Sequence, residues 1–238
     1  MSEYDSIAAL YDPWSVTVVE DIPFYVALAQ EAGRVGGGPV VELGVGTGRI
    51  AIPTAAAGIP VIGVDSSLGM LQVAAARAEE KGVADLLDLR LGDLREPPVS
   101  ERVSLVTTPF RALLHLHTDE ERLRALRAAR ELLVPGGRYA FDVFAPGRDD
   151  IEETNGRWLE REPGIWEKAD WDEGARMLTL SVRGEGGLET AMALAWLSAI
   201  EWRRLLDLAG FEVESLAGWF DGRPYAGGED MVWVCRRP

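Results

Sequence analysis

The sequence predicts an α/β fold, a doubly wound and mostly parallel sheet with a small antiparallel insertion after its fifth strand. Three observations predict it. Short apolar runs such as Val40–Leu43, Val61–Val64 and Val103–Val106 suit strands buried on both faces. Helix-length stretches separate them, as in a sheet covered by helices. After Pro146 the pattern changes: Leu178, Leu180 and Val182 alternate with Thr179, Ser181 and Arg183, as in a half-buried antiparallel strand.

The elements follow in order. Residues 1–35 are expected to form an N-terminal helical cap. Tyr4, Tyr11 and Trp14 fall in its first part, and Asp21-Ile22-Pro23 reads as a helix start with Asp21 as N-cap. That helix is expected to stop near Gly33. Gly36-Gly37-Gly38 leads into strand one, and a helix over Arg49–Ala57 follows its glycine-rich loop. Strand two ends at Asp65. Ser66 is the expected cap of a helix over Ser67–Lys81, closed by Gly82, with Met70, Leu71, Ala74 and Ala78 on one stripe. Leu87–Leu91 and Val103–Val106 are strands three and four. Thr118-Asp-Glu-Glu121 is a capping box, in which the Thr oxygen and the Glu carboxylate satisfy free amides reciprocally. It opens a helix to Leu133, whose arginines at 122, 124, 127 and 130 read as a solvated face. Arg138–Phe144 is strand five.

Residues 148–197 are the antiparallel insertion, with strands over 158–160, 165–171, 176–183 and 190–197. Asp172-Glu-Gly174 and Gly184-Glu-Gly-Gly187 supply turns. Ser198-Ala-Ile-Glu201 is a second capping box, and its helix ends at Gly210. Two strands, Phe211–Leu216 and Met231–Cys235, close the chain.

With 238 residues and 47% hydrophobic side chains, one domain with a substantial core is expected. The net charge of −15 argues against a nucleic-acid partner. No apolar run approaches the length of a membrane span, and acids rather than basic residues follow Met1, so a cytoplasmic protein is expected. Cys235 is the one cysteine, which excludes an intrachain disulfide and a cysteine-rich metal site. No metal is expected at His115 and His117 either, since no carboxylate spacing near them suggests a site. A homodimer is allowed, though the sequence does not set the oligomeric state.

The functional signal is Glu42-Leu-Gly44-Val-Gly46-Thr-Gly48. Glycines there let the backbone turn sharply and approach a ligand just outside the carboxyl end of a strand. Gly46-Thr-Gly-Arg-Ile-Ala51 also fits a dinucleotide fingerprint, so a nicotinamide-dependent oxidoreductase is one reading. Asp65, at the tip of strand two, suits ribose hydroxyls in either case. Glu42 favours a cationic ligand over a pyrophosphate.

The run E-L-G-x-G-T-G followed by V-D resembles the class I S-adenosylmethionine (SAM) methyltransferase family. Gly92-Asp93-Leu94, Thr107-Thr-Pro-Phe110 and Pro135-Gly-Gly137 resemble that family's later motifs, in order and at suitable spacing, and the resemblance runs from about Tyr4 to the C-terminus. It implies a Rossmann-like, seven-stranded sheet with its last strand antiparallel. It implies SAM as cofactor, held by Glu42, Gly44, Gly46, Gly48, Asp65, Ser66, Met70, Asp93, Leu94 and Thr108, with Asp93 meeting the adenine amine. It also implies transfer of the methyl to a nitrogen or oxygen of a small molecule. Phe110-Arg-Ala-Leu-Leu-His115-Leu116 is similar to the base-carrying segment of amino-sugar N,N-dimethyltransferases, which points to His115 as a base or substrate ligand. Tyr11 would accompany it from the N-terminal segment. An ordinary imidazole, with pKa near 6.5, suits proton removal at neutral pH. Trp158, Trp166, Trp171 and Trp196 are candidates to line the acceptor pocket or to pack between sheets. A SAM-binding protein without turnover is the other alternative.

Overall fold

The chain is described from a computed structural model that covers residues 19–184, 187 and 189–238. Helix α1 (Asp21–Gly36) precedes β1 (Val40–Leu43), α2 (Ala51–Ala56), β2 (Val61–Asp65), α3 (Leu68–Glu80), β3 (Leu87–Leu91) and β4 (Val103–Thr108). A 3-10 turn over Ala112–His115 leads to α4 (Asp119–Leu132) and β5 (Leu133–Phe144). Then come α5 (Arg148–Thr154), β6 (Trp158–Glu162), β7 (Ile165–Asp172), β8 (Met177–Arg183), β9 (Glu189–Ala195), α6 (Ala199–Ala209), β10 (Glu212–Ala217) and β11 (Asp230–Arg236).

Seven strands form one sheet in the order β10-β11-β5-β4-β1-β2-β3. Strands β1 to β5 are parallel, and β11 runs antiparallel to both β5 and β10. Successive strand residues point to opposite faces. Val41, Ile62 and Val106 join α4 and α6 residues in one core, while Val40, Val61 and Leu105 pack with Ala29, Ala51 and Leu71 of α1, α2 and α3. The sheet is therefore covered on both sides, which is why its central strands are mostly apolar on both faces. Strands β6-β7-β8-β9 form a separate four-stranded antiparallel sheet. Among the described residues, no helix is long and apolar enough to cross a membrane.

Both capping boxes form, at Thr118/Glu121 and Ser198/Glu201, and Gly210 ends α6 in the left-handed conformation at φ 82°. Four local expectations are corrected. Asp21 does not cap α1; it is the first helical residue, and its buried carboxylate is bound by the Arg49 guanidinium instead. Ser67 rather than Ser66 caps α3, accepting the Met70 amide at 3.1 Å. Strand β5 begins at Leu133, because the Pro135–Gly137 segment stays paired: Gly136 donates to the Arg237 carbonyl at 2.8 Å. Arg122 is not solvated. Helix α6 and the end of β9 cover it, so it donates to the Ala195 carbonyl at 3.2 Å and lies 5.9 Å from the Trp202 ring centre.

Candidate active site

The glycine loop leaves β1 where the strand order reverses between β1 and β4, the position at which open α/β sheets bind ligands. Gly44 and Val45 both donate to the Val64 carbonyl, at 2.8 and 3.0 Å, which ties the loop to β2. Gly44 has φ 77°, and a Cβ there would lie 2.9 Å from the Ala112 Cβ. The loop thus packs directly against the turn that ends in His115. Gly46 has φ 53°, and a Cβ there would meet nothing within 4 Å, so its requirement is conformational. Asp65 fixes the other side. Its Oδ2 accepts the Gly46 amide at 2.8 Å and its Oδ1 accepts the Ser67 amide at 2.8 Å.

Around these groups lies a cleft of about 400 Å³. Gly44, Gly46, Asp65, Ser66, Met70, Asp93 and Leu94 all line it. The other three residues expected at the cofactor stand off its wall. Glu42 is buried at the end of β1; burial raises its pKa to about 8, partly offset by the charge of Arg49. Gly48 packs toward Ile52 of α2. Thr108 is buried and accepts the Tyr139 hydroxyl at 2.9 Å, and Pro109, one residue on, lines the cleft in its place. Arg95 is a lining residue that the sequence did not single out. It forks onto Asp93, with its Nη2 2.6 Å from Oδ2, and these hydrogen bonds hold the Asp93 carboxyl below its usual range. His117 is exposed, as expected of a residue just before a cap, but it also lines the cleft and its Nε2 sits 3.0 Å from the Ala193 carbonyl. That contact brings β9 of the second sheet to the rim.

A second cavity, of about 530 Å³, shares Phe110 and His115 with the first. One side is apolar, with Leu178, Leu180, Met192 and Leu194 from β8 and β9, beside Trp171 and Phe144. Of the four tryptophans in the insertion, Trp171 lines this cavity and Trp196 packs edge-on against it at 5.4 Å. Trp158 and Trp166 instead receive the Arg183 guanidinium, at 4.2 and 5.5 Å. Trp219, outside the insertion, also lines the cavity. The polar groups are mostly acidic: Asp21, Asp142, Asp150, Glu167, Glu229 and Asp230 face it, against Arg111 and Arg161. Arg111 pairs with Asp230 at 3.0 Å and Arg161 with Glu167 at 3.1 Å. A hydrogen bond to Asp150, with burial, pushes Glu229 up to about 7.

His115 ends the 3-10 turn where the two cavities meet. Burial, and secondly the nearby His117, lower its pKa to about 4. The ordinary imidazole expected from the sequence is therefore corrected: this ring is neutral throughout the physiological range. Tyr11, its expected companion, lies outside the described residues.

A glycine loop at the sheet's switch point, an acid at the tip of β2 and a second acid after β3 make this an α/β protein whose candidate ligand site is the crevice at the strand ends. Comparison with known proteins narrows this further. A family model described as a methyltransferase domain matches residues 40–137. The cypemycin N-terminal methyltransferase of a Streptomyces species is 28% identical over 210 residues, spanning 84% of each chain. The solved structure of the CcbJ methyltransferase from Streptomyces caelestis is 27% identical, covers 100% of this chain and 98% of its own, and superposes with a TM-score of 0.84. A SAM-bound amino pentose methyltransferase from Micromonospora echinaspora, involved in calicheamicin biosynthesis, shares the fold at a TM-score of 0.67 and 20% identity, over 97% of this chain and 95% of its own. With a methyltransferase domain over residues 40–137, the chain is a SAM-dependent methyltransferase, and SAM is its cofactor. The dinucleotide reading of Gly46–Ala51 is thereby set aside.

Proposed function

We propose that the protein methylates a nitrogen of a small, basic molecule with an apolar body. The observation that carries this reading is the meeting of the cofactor cleft and the second cavity at Phe110 and His115. The residues present fit the cofactor. Asp65 would hold the ribose, Asp93 the adenine amine, and Met70 and Leu94 the faces of the base, with the amides of the Gly44–Gly46 loop beside the remainder. Glu42 supplies negative charge beneath the loop when ionised. Bound SAM supplies a methyl group already activated by its sulfonium, so the protein's task is to position a nucleophile and exclude water.

The apolar wall from β8 and β9 suits the body of the acceptor. Asp21, Asp230 and Glu167 are paired with Arg49, Arg111 and Arg161, which leaves Asp142 and the Asp150–Glu229 pair as an acidic excess that favours an ammonium ion over an anion. The bound ammonium first gives its proton to solvent; the free amine then donates an N–H hydrogen bond to His115, neutral because its pKa is depressed to about 4, with its lone pair turned toward the cleft. His115 acts here as a substrate ligand more than as a proton store. The name of the cypemycin relative, which states N-terminal methylation, agrees with a nitrogen acceptor.

A screen with methyl-labelled SAM tests this. Paired amines and alcohols of matched apolar bodies are offered across pH 6–9. Label should pass to amines and increase with the size of the apolar group up to the volume of the cavity. Transfer to alcohols alone would overturn the nitrogen assignment, and transfer to neither class would overturn the small-molecule acceptor.

A further inference from the structure

Phe110 and Arg111 are consecutive non-glycine residues in the left-handed region, at φ 55° and 64°; among the described residues only Arg176 shares this feature. Side chains disfavour that conformation, and glycine would adopt it without strain. Yet both side chains are used. Phe110 lines both cavities, and its ring carries the Arg49 guanidinium 4.3 Å from its centre. Arg111 lies 4.6 Å over the Phe144 ring and pairs with Asp230. Something must hold the bend, and the buried carboxylate of Asp142 on β5 does so. Its Oδ1 accepts the Phe110 amide at 2.8 Å and its Oδ2 accepts the Arg111 amide at 3.2 Å. The Tyr25 hydroxyl of α1 donates to Oδ1 at 2.6 Å, fixing the carboxylate from the other side. Burying a carboxylate is costly unless it is so bonded. Here its bonds go to the bend and to the residue that orients it.

Arg111 directly precedes the 3-10 turn, whose Leu114 amide donates to the Arg111 carbonyl at 2.9 Å. Leu113 and Leu114 are buried, and Gly44 packs on Ala112. The direction of the chain at Arg111 therefore sets where His115 stands. We infer that Asp142 is the positioning residue of the methyl-transfer site, holding Phe110 and Arg111 in their left-handed bend and through it placing His115 at the junction of the two cavities. The inference concerns the geometry of the loop and stands whether the acceptor is an amine or an alcohol.

The protein has only two histidines, so imidazole resonances read the site directly in ¹⁵N-histidine-labelled protein. At pH 8 the Asp142 carboxyl, which burial raises to about 6, is ionised and holds both amides. In Asp142→Asn, which keeps the shape but offers only one acceptor oxygen, the His115 ring resonances should be displaced from their parental positions at pH 8 while those of His117 move less. Lowering the pH of the parent through 6 should displace the His115 resonances in the same direction, a step the variant should lack. A folded Asp142→Asn protein whose His115 resonances coincide with the parent's at pH 8 would overturn the inference. Should Asp142→Asn not fold, hydrogen exchange in the parent decides. Phe110 and Arg111 amides protected like their β5 neighbours support the inference, and exchange at exposed-loop rates refutes it.

Discussion

Asp65→Ala probes the cofactor cleft at the group with the most defined geometry. Both carboxylate oxygens accept a backbone amide at 2.8 Å. An ionised carboxylate offers about four acceptor positions, enough to serve these amides and the ribose as well. Hydrogen bonds to a charged group contribute about 1.5–3 kcal/mol each. Taking the lower figure for a half-buried side chain, two ribose hydroxyls lose about 3 kcal/mol, or ~10²-fold in affinity. The Gly46 amide loses its acceptor in the same substitution, which loosens the loop and acts in the same direction. Titration calorimetry with SAM should show that weakening while far-UV circular dichroism keeps its parental shape. Affinity within about threefold of the parent would refute the placement of the ribose at Asp65. Asp93→Ala is the internal comparison. Its carboxylate is already bound by Arg95, so the loss should be nearer ~10-fold.

Three further outcomes are expected. Gly46→Val should abolish SAM binding with little change in helix and strand content, since φ 53° excludes a β-branched residue although the space around it is open; normal binding would place the ligand elsewhere. His115→Ala should lower kcat/KM for the amine found by screening by up to ~10-fold, the worth of one neutral hydrogen bond. The ratio of parent to variant should stay level from pH 6 to 8, because the ring is already neutral there; a rise of about threefold in that ratio between pH 6 and 7 would show an ordinary imidazole of pKa near 6.5. Glu42→Gln addresses stability of the cofactor-free protein. A carboxyl whose folded pKa is raised to about 8 binds more protons folded than unfolded, so its contribution is lost as pH rises from about 4.5 through 8. Thermal denaturation of Glu42→Gln should therefore show a smaller fall in Tm than the parent between pH 5 and 8, and an equal fall would contradict the burial of this group.

The sheet was legible because β1 and β2 at its centre are buried on both faces and carry no polar residue before Glu42 and Asp65. The glycine loop was legible for a related reason: Gly44 and Gly46 meet demands that other residues satisfy poorly. Capping boxes at Thr118 and Ser198 act within four residues, so their partners are visible in the sequence. What stayed hidden depends on distant partners. Asp21 looks like a helix cap until Arg49, 28 residues on, takes its carboxylate. Arg122 looks solvated until α6 covers it. Asp142 reads as one polar residue in strand five, with no local sign that it binds Phe110, Arg111 and Tyr25. Two consecutive left-handed residues at Phe110 and Arg111 carry no glycine to announce them. The depressed pKa of His115 likewise comes from burial that no spacing reveals.

The central claim is that cofactor and acceptor occupy adjoining cavities that meet at Phe110 and His115. A crystal structure of the protein with S-adenosylhomocysteine and an amine identified by the labelled-SAM screen tests it most directly. The account predicts the ribose against Asp65, the sulfur at the opening between the cavities, and the amine nitrogen within hydrogen-bonding distance of His115 with its apolar body against Leu180 and Met192. An amine bound on the outer surface, or a nucleoside lying away from the Gly44–Gly46 loop, would contradict it.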